Sequence, residues 1–229
     1  MNLDRQLKTI LCYGDSNTWG FVPTNHYGKT MTVQRYGKDI RWPGRLQHLL
    51  GSSYYVIEEG LNGRTTNLDY NLPPDRNGKT YLPPCLYTHA PIDLVILTLG
   101  GNDLKACFNR TASDIYQGLA SLVEIIQTSN YGTKLQQAPK VLIVYQFMPL
   151  SICEQLVDDK GTFIFQGAVD KAKSALSLYS QLAQQTASYF LDSSANIRPS
   201  GIDGIHLDKQ GHKAFALLVK HKVSDIFEK

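Results

Sequence analysis

The stretch GDSNTWG, residues 14–20, follows an apolar run directly and sets Ser16 between an aspartate and an asparagine. A serine hydroxyl is a poor nucleophile near neutral pH, so chemistry at Ser16 requires a base. Of the six histidines, His206 stands out because Asp203 precedes it by three residues in GIDGIHLDKQG. Across a glycine-containing turn that spacing lets the carboxylate reach Nδ1 and orient the imidazole, leaving Nε2 to take a serine proton. His89, with Asp93 four residues on, is the rival base. The Asn102 side chain and the backbone N–H groups of Ser16 and Gly63 would supply three donors to an oxyanion.

Each of these residues also has a plain structural use. Ser, Asp and Asn are ordinary residues of turns and N-caps, and Asp203 and Asp208 can serve a turn and a helix start. Asp203, His206, Asp208 and His212 could be read as a metal set, but their spacing matches no known site class. The loop at Ser16 is not the G-x-S-x-G elbow, because Thr18 stands where glycine is required. Neither a G-x-x-x-x-G-K-[ST] loop nor a G-x-G-x-x-G loop occurs. Locally, then, catalysis and capping remain open for Ser16.

Five apolar, β-branched-rich runs are expected to be strands: 8–13, 54–60, 93–100, 140–146 and 188–193. Their near-continuous hydrophobicity implies a sheet covered on both faces, as parallel sheets are. Helical patterns fall at 41–50, at 111–128 after the N-cap Thr111, over about 167–188, and after Asp208 with a stripe of Phe215, Leu218, Val219, Val223 and Ile226. The alternation predicts an α/β fold, a three-layer α/β/α sandwich on a five-stranded parallel sheet. It is expected to form one domain over 1–229, with long loops at about 21–41, 67–91 and 147–162. Ligands of such sheets bind beyond the carboxyl ends of the strands. GDSNTWG, GLNGRTT and GGNDLK each follow a strand end, so a parallel sheet brings Ser16, Gly63 and Asn102 to one edge.

A net charge of +3 from 23 basic and 20 acidic scattered residues gives no basic stripe for nucleic acid. The longest apolar runs fall far short of the roughly 20 residues that span a bilayer, and MNLDRQLKTI has no apolar signal core. The four cysteines, Cys12, Cys85, Cys107 and Cys153, form no C-x-x-C pair, which favours reduced thiols and a cytoplasmic protein and gives no zinc signature.

Taken together, Gly14-Asp15-Ser16, Gly63, Gly100-Gly101-Asn102-Asp103 and Asp203-Gly204-Ile205-His206 resemble, in order, the four sequence blocks of the SGNH (GDSL-type) serine hydrolases. ILCYGDSNTWG, RWPGRL, VIEEGLNGRTTN, YLPPCL and DLVILTLGGNDLK are similar to the arylesterase and acyltransferase branch. The resemblance implies a flavodoxin-like sheet, hydrolysis of small acyl esters through an acyl-enzyme, transfer to alcohols or peroxide, frequent homo-oligomers, and no cofactor or metal. It also implies that Ser16, Asp203 and His206 are catalytic, with Ser16, Gly63 and Asn102 forming the oxyanion hole. Carbohydrate deacetylase, lysophospholipase and a non-catalytic ligand-binding module are the alternatives. The chain departs from the pattern at Asn17, where GDSL has leucine, and at Leu207, where proline often follows the histidine. Asp15, Asn17, Trp19, Phe21 and Ile205 are expected to line the substrate site.

Overall fold

The computed structural model describes residues 7–28, 31–70 and 74–228. Five strands, β1 (Lys8–Gly14), β2 (Tyr54–Gly60), β3 (Leu94–Thr98), β4 (Lys140–Tyr145) and β5 (Tyr189–Asp192), form one parallel sheet in the order β2-β1-β3-β4-β5. Six helices accompany them: α1 (Ser16–Trp19), α2 (Trp42–Leu50), α3 (Gly78–His89), α4 (Ala112–Gln127), α5 (Ala168–Gln185) and α6 (Lys209–Phe227). Successive strand residues point to opposite faces. Leu11, Tyr13, Val95, Leu97, Val141 and Ile143 enter the core under α3, α4 and α5, while Ile10, Cys12, Leu94, Ile96, Leu142 and Val144 enter the core under α2 and α6. Both faces being covered is why the strands read as unbroken apolar runs.

The helix starts follow local chemistry. Thr111 Oγ1 accepts from the Asp114 N–H at 3.2 Å while Asp114 accepts from the Thr111 N–H at 2.8 Å, a reciprocal cap on α4. Asp208 accepts from the Gly211 N–H at 2.7 Å at the start of α6. Pro43 occupies the first turn of α2, where a missing amide hydrogen costs nothing.

One expected loop is corrected. The segment 67–91 carries α3, whose start is capped by Asn77 Oδ1 accepting from the Lys79 N–H at 2.9 Å. Pro83 and Pro84 lie inside this helix and hide it from a propensity reading, since interior proline removes helix hydrogen bonds. Burial of Leu82, Cys85 and Leu86 against the sheet outweighs that cost. In 147–162 a short 3-10 turn, Ser151–Gln155, buries Cys153, and 21–41 closes through an antiparallel bridge between Phe21 and Arg35. Residues 29–30 and 71–73 of the expected loops, and the first six residues of MNLDRQLKTI, lie outside the described residues. Among the described residues no helix is long and apolar enough to cross a membrane.

His212 on α6 is fully buried, and its Nδ1 accepts from the Trp42 N–H at 3.3 Å. Burial, opposed by Asp208 and reinforced by His206, Arg45 and Arg41, lowers its pKa to about 3. An unfolded chain binds that proton near pH 6.5, so between about pH 6.5 and 3 unfolding takes up a proton and stability rises with pH. Denaturant unfolding across that window should lose stability on acidification at up to about 1.4 kcal/mol per pH unit from this one group. His212→Asn, which keeps an acceptor for Trp42, should remove that part of the slope. An unchanged slope would refute the assignment.

Candidate active site

The first strand ends at Gly14, and the chain turns at once into α1. A Cβ on Gly14 would sit 2.1 Å from both Thr18 Oγ1 and Thr98 Oγ1, so only glycine lets β1 pass this close to its own helix and to β3. Thr18 and Thr98 hydroxyls then bond at 2.8 Å across the gap. Asp15 caps α1 by accepting from the Asn17 N–H at 3.0 Å, which makes Ser16 the first helical residue. Asp15 thus does the capping, and Ser16 is left to border the cavity.

Around Ser16 the loops are fastened to the strand ends. The buried Arg64 guanidinium donates to Gly14 O at 2.9 Å and to Glu59 O, and lies 4.2 Å from the Tyr13 ring centre. Asp103, fully buried, accepts from the Thr66 N–H and hydroxyl at 3.0 and 2.6 Å and pairs with Arg110 at 2.6 Å. The loop after β3 is thereby pinned to the loop after β2.

At the far end of the chain, Asp203 and His206 fold over the same edge. His206 Nε2 lies 2.9 Å from Ser16 Oγ, and His206 Nδ1 lies 2.7 Å from Asp203 Oδ2. Asp203 is fully buried and its Oδ1 accepts from the Ile205 and His206 N–H groups at 3.1 and 3.0 Å. Burial raises its pKa, but the His206 hydrogen bond and charge and those two amides outweigh it and leave the carboxyl below its ordinary value. The carboxylate is therefore anionic and able to stabilise an imidazolium. Phe21 packs its ring 4.4 Å from the His206 ring.

Three donors border one cavity of about 290 Å³ that also takes in Ser16 Oγ and His206. Among the described residues, the Ser16 and Gly63 N–H groups have no protein acceptor. Gly63 adopts φ +78°, and a Cβ there would meet Tyr70 Oη at 2.4 Å. Asn102 Nδ2 spends one hydrogen on Arg64 O at 3.1 Å, and its second remains. The rest of the wall is mostly apolar, including Leu104, Ile115, Phe147, Ile164 and Phe165.

The structure sorts the remaining expected residues. Asp15, Phe21 and Ile205 border the cavity. Asn17 borders it too, but its amide is occupied: Nδ2 donates to Ile205 O at 3.0 Å and Oδ1 accepts from the Leu207 N–H at 2.9 Å. It clasps the backbone on both sides of His206. Trp19 is corrected: it does not border the cavity, and its ring lies 4.8 Å from the Arg35 guanidinium instead. His89 is also excluded as a base, since it bonds Glu59 at 2.8 Å while Asp93 serves the Thr9 N–H and the Thr133 hydroxyl. Asp208 and His212 are taken up by a helix cap and by Trp42, so no metal set forms with Asp203 and His206. Glu59, Cys85 and His89 bring ligand atoms within 4.8 Å of one another. Burial pushes the Cys85 thiol up to about 12 and keeps it protonated, and none of the three borders the cavity.

Tyr27 was not legible as a site residue. Its hydroxyl donates to Asp203 Oδ2 at 3.2 Å and lies 3.2 Å from His206 Nδ1, and the Thr24 N–H adds a 3.3 Å contact. Nothing in the sequence of the 21–41 loop marks it, because only the tertiary fold brings that loop over Asp203.

Residues 12–214 match the GDSL-like lipase/acylhydrolase family. Among solved structures, the inhibitor-bound aryl esterase of M. smegmatis is 38% identical, with 96% of this chain and 100% of that chain covered and a TM-score of 0.87. Est24, a carbohydrate acetylesterase from Sinorhizobium meliloti, is 36% identical with the same coverage of 96% and 100% and a TM-score of 0.87. A lipolytic G-D-S-L protein from Veillonella parvula, 15% identical with 97% of this chain and 99% of that chain covered and a TM-score of 0.62, shares the fold. No curated protein matches the chain.

Two hydrogen bonds hold the His206 segment on Asn17, and loss of both should let the imidazole drift from Ser16. Asn17→Ala is expected to lower kcat roughly tenfold or more at little change in KM, since small misplacements of reacting groups cost up to about 10². A rise in KM at constant kcat would instead place Asn17 in substrate contact.

Proposed function

The chain belongs to the GDSL-like lipase/acylhydrolase family, and on that premise we propose that it is a serine esterase of small acyl esters, aryl acetates among them. It is an ester-hydrolysing enzyme by family and by its solved neighbours. The observation that carries the finer reading is the chain of hydrogen bonds from Ser16 Oγ through His206 to Asp203, at 2.9 and 2.7 Å, beside a mostly apolar cavity.

In the proposed reaction Ser16 Oγ forms a bond to the ester carbonyl carbon while its proton passes to His206 Nε2. The carbonyl π electrons move to oxygen, and the Ser16 and Gly63 N–H groups and the Asn102 amide stabilise that charge. Asp203 stabilises the imidazolium, and Tyr27 and the Thr24 N–H keep the carboxylate in place. The oxyanion collapses, the bond to the alcohol oxygen breaks, and the Nε2 proton goes to that oxygen. Water then attacks the acyl-enzyme, giving its proton to Nε2, and the collapse returns the proton to Ser16 Oγ and frees the acid. An alcohol, or peroxide, in place of water gives acyl transfer by the same steps.

A cavity of about 290 Å³ lies at the lower end of ligand-site volumes, which favours small acyl and aryl groups over long lipid chains. Its apolar walls favour an aryl ester over a sugar ester. The likeness to Est24 supports carbohydrate deacetylation as the second reading.

Hydrolysis of phenyl acetate without added metal is expected, and Ser16→Ala should reduce kcat by roughly 10⁴ or more. Asp203→Asn, which disturbs the imidazole tautomer, should cost on the order of 10⁴. Wild-type turnover in Ser16→Ala would overturn the nucleophile assignment. An acyl-chain series with an alcohol as competitor, run beside an acetylated sugar, should rank short aryl esters first.

A further inference from the structure

Lys105 stands three residues after Asn102, between two short 3-10 turns, Asn102–Leu104 and Ala106–Phe108. Its position is fixed by its own N–H donating to Asn102 O at 3.2 Å and by the next N–H donating to Ile164 O at 2.8 Å. The side chain borders the same cavity as Ser16, and the ammonium lies 5.6 Å from the Tyr70 ring centre. Tyr70 is itself held, with its hydroxyl donating to Gly63 O and its ring 5.1 Å from Phe108.

This ammonium has no hydrogen bond or ion pair among the described residues. The carboxylates around it are committed elsewhere: Asp103 to Arg110 and Thr66, and Asp15 to the Asn17 N–H. Arg76 and Arg64 carry no carboxylate hydrogen bond either. Arg76 donates to Asn62 O and Pro74 O at 2.6 Å, and Arg64 donates to Gly14 O and Glu59 O. Asp15 and Asp103 act on Lys105 without bonding it, so its ammonium stands unpaired beside a mostly apolar cavity. Burial holds Lys105 below its ordinary pKa, with Arg76 adding to the fall and Cys107, Asp15 and Asp103 opposing it. Lys105 is half-buried and its ammonium has no protein partner among the described residues, so an anion entering the cavity would meet an unpaired cation at its wall.

Direction decides which part of an ester meets it. The leaving alcohol must depart beside His206, which protonates it, whereas Lys105 follows Asn102 in the chain and neighbours Tyr70, whose hydroxyl donates to Gly63 O, which puts it with the oxyanion donors. We propose that Lys105 is the anion-recognising residue of an acyl subsite, selecting esters whose acyl group carries a free carboxylate, such as half-esters of short dicarboxylic acids. This rests on the serine-esterase reading above.

The test compares ethyl hydrogen succinate and ethyl hydrogen adipate with their diethyl counterparts, at neutral pH and low salt. The wild type should show the higher kcat/KM on at least one half-ester, an advantage that shrinks with added salt. Lys105→Met should lower the ratio of half-ester to diester by roughly tenfold or more, and Lys105→Arg should retain most of it. An equal ratio in wild type and Lys105→Met would overturn the proposal while leaving the esterase intact. A second arm needs no turnover: calorimetric titration of Ser16→Ala protein with ethyl hydrogen adipate and diethyl adipate. The half-ester should bind more tightly, and adding Lys105→Met should weaken it roughly tenfold. Equal binding of both esters, or no effect of Lys105→Met, would refute the subsite, whereas failure to hydrolyse phenyl acetate would refute the esterase reading itself.

Discussion

A 2.9 Å hydrogen bond between Ser16 and His206 has to be closed by residues 190 positions apart. Two such distant groups meet only if the chain ends of several strands come to one edge and stay there. The parallel sheet provides that edge, because every strand leaves it in the same direction. Ser16 departs from β1, an interior strand of the sheet with β2 and β3 as its neighbours. Gly63 and Asn102, in the loops after those two strands, flank it as a consequence of strand order alone.

Strand order brings loops near one another but does not fix them to fractions of an ångström. That is done by buried polar contacts. Arg64 ties the loop after β2 to Gly14, and Asp103 ties the loop after β3 to Thr66. Asn17 ties α1 to the backbone on both sides of His206. Buried hydrogen bonds of this kind contribute modestly when made and cost more when broken, so each acts as a constraint on geometry more than as a source of stability. The polar network surrounds an apolar cavity, which strengthens electrostatic interactions at the reacting atoms.

Much of this was legible from residue order. Unbroken runs such as 93–100 announce strands buried on both faces, and the glycine-containing blocks after them announce the site. Helix α3 was concealed by Pro83 and Pro84, because burial of Leu82 and Leu86 decides there against local propensity. Trp19 was misplaced because sequence proximity to Ser16 says nothing about which side of a one-turn helix a ring occupies. Asn17 was recognisable as a departure, yet its work depends on the carbonyl of Ile205 and the amide of Leu207, which no spacing rule connects to it. Tyr27 illustrates the same limit: an irregular loop places a side chain by tertiary contacts, and those leave no periodic trace.

The central claim is that Ser16 is activated by His206 and Asp203. Labelling with an aryl fluorophosphonate followed by peptide mass spectrometry tests it most directly, since only an activated serine reacts. One adduct per chain on the peptide containing Ser16, absent after His206→Ala, is the predicted result. No adduct, or an adduct on another residue that persists in Ser16→Ala, would contradict the account.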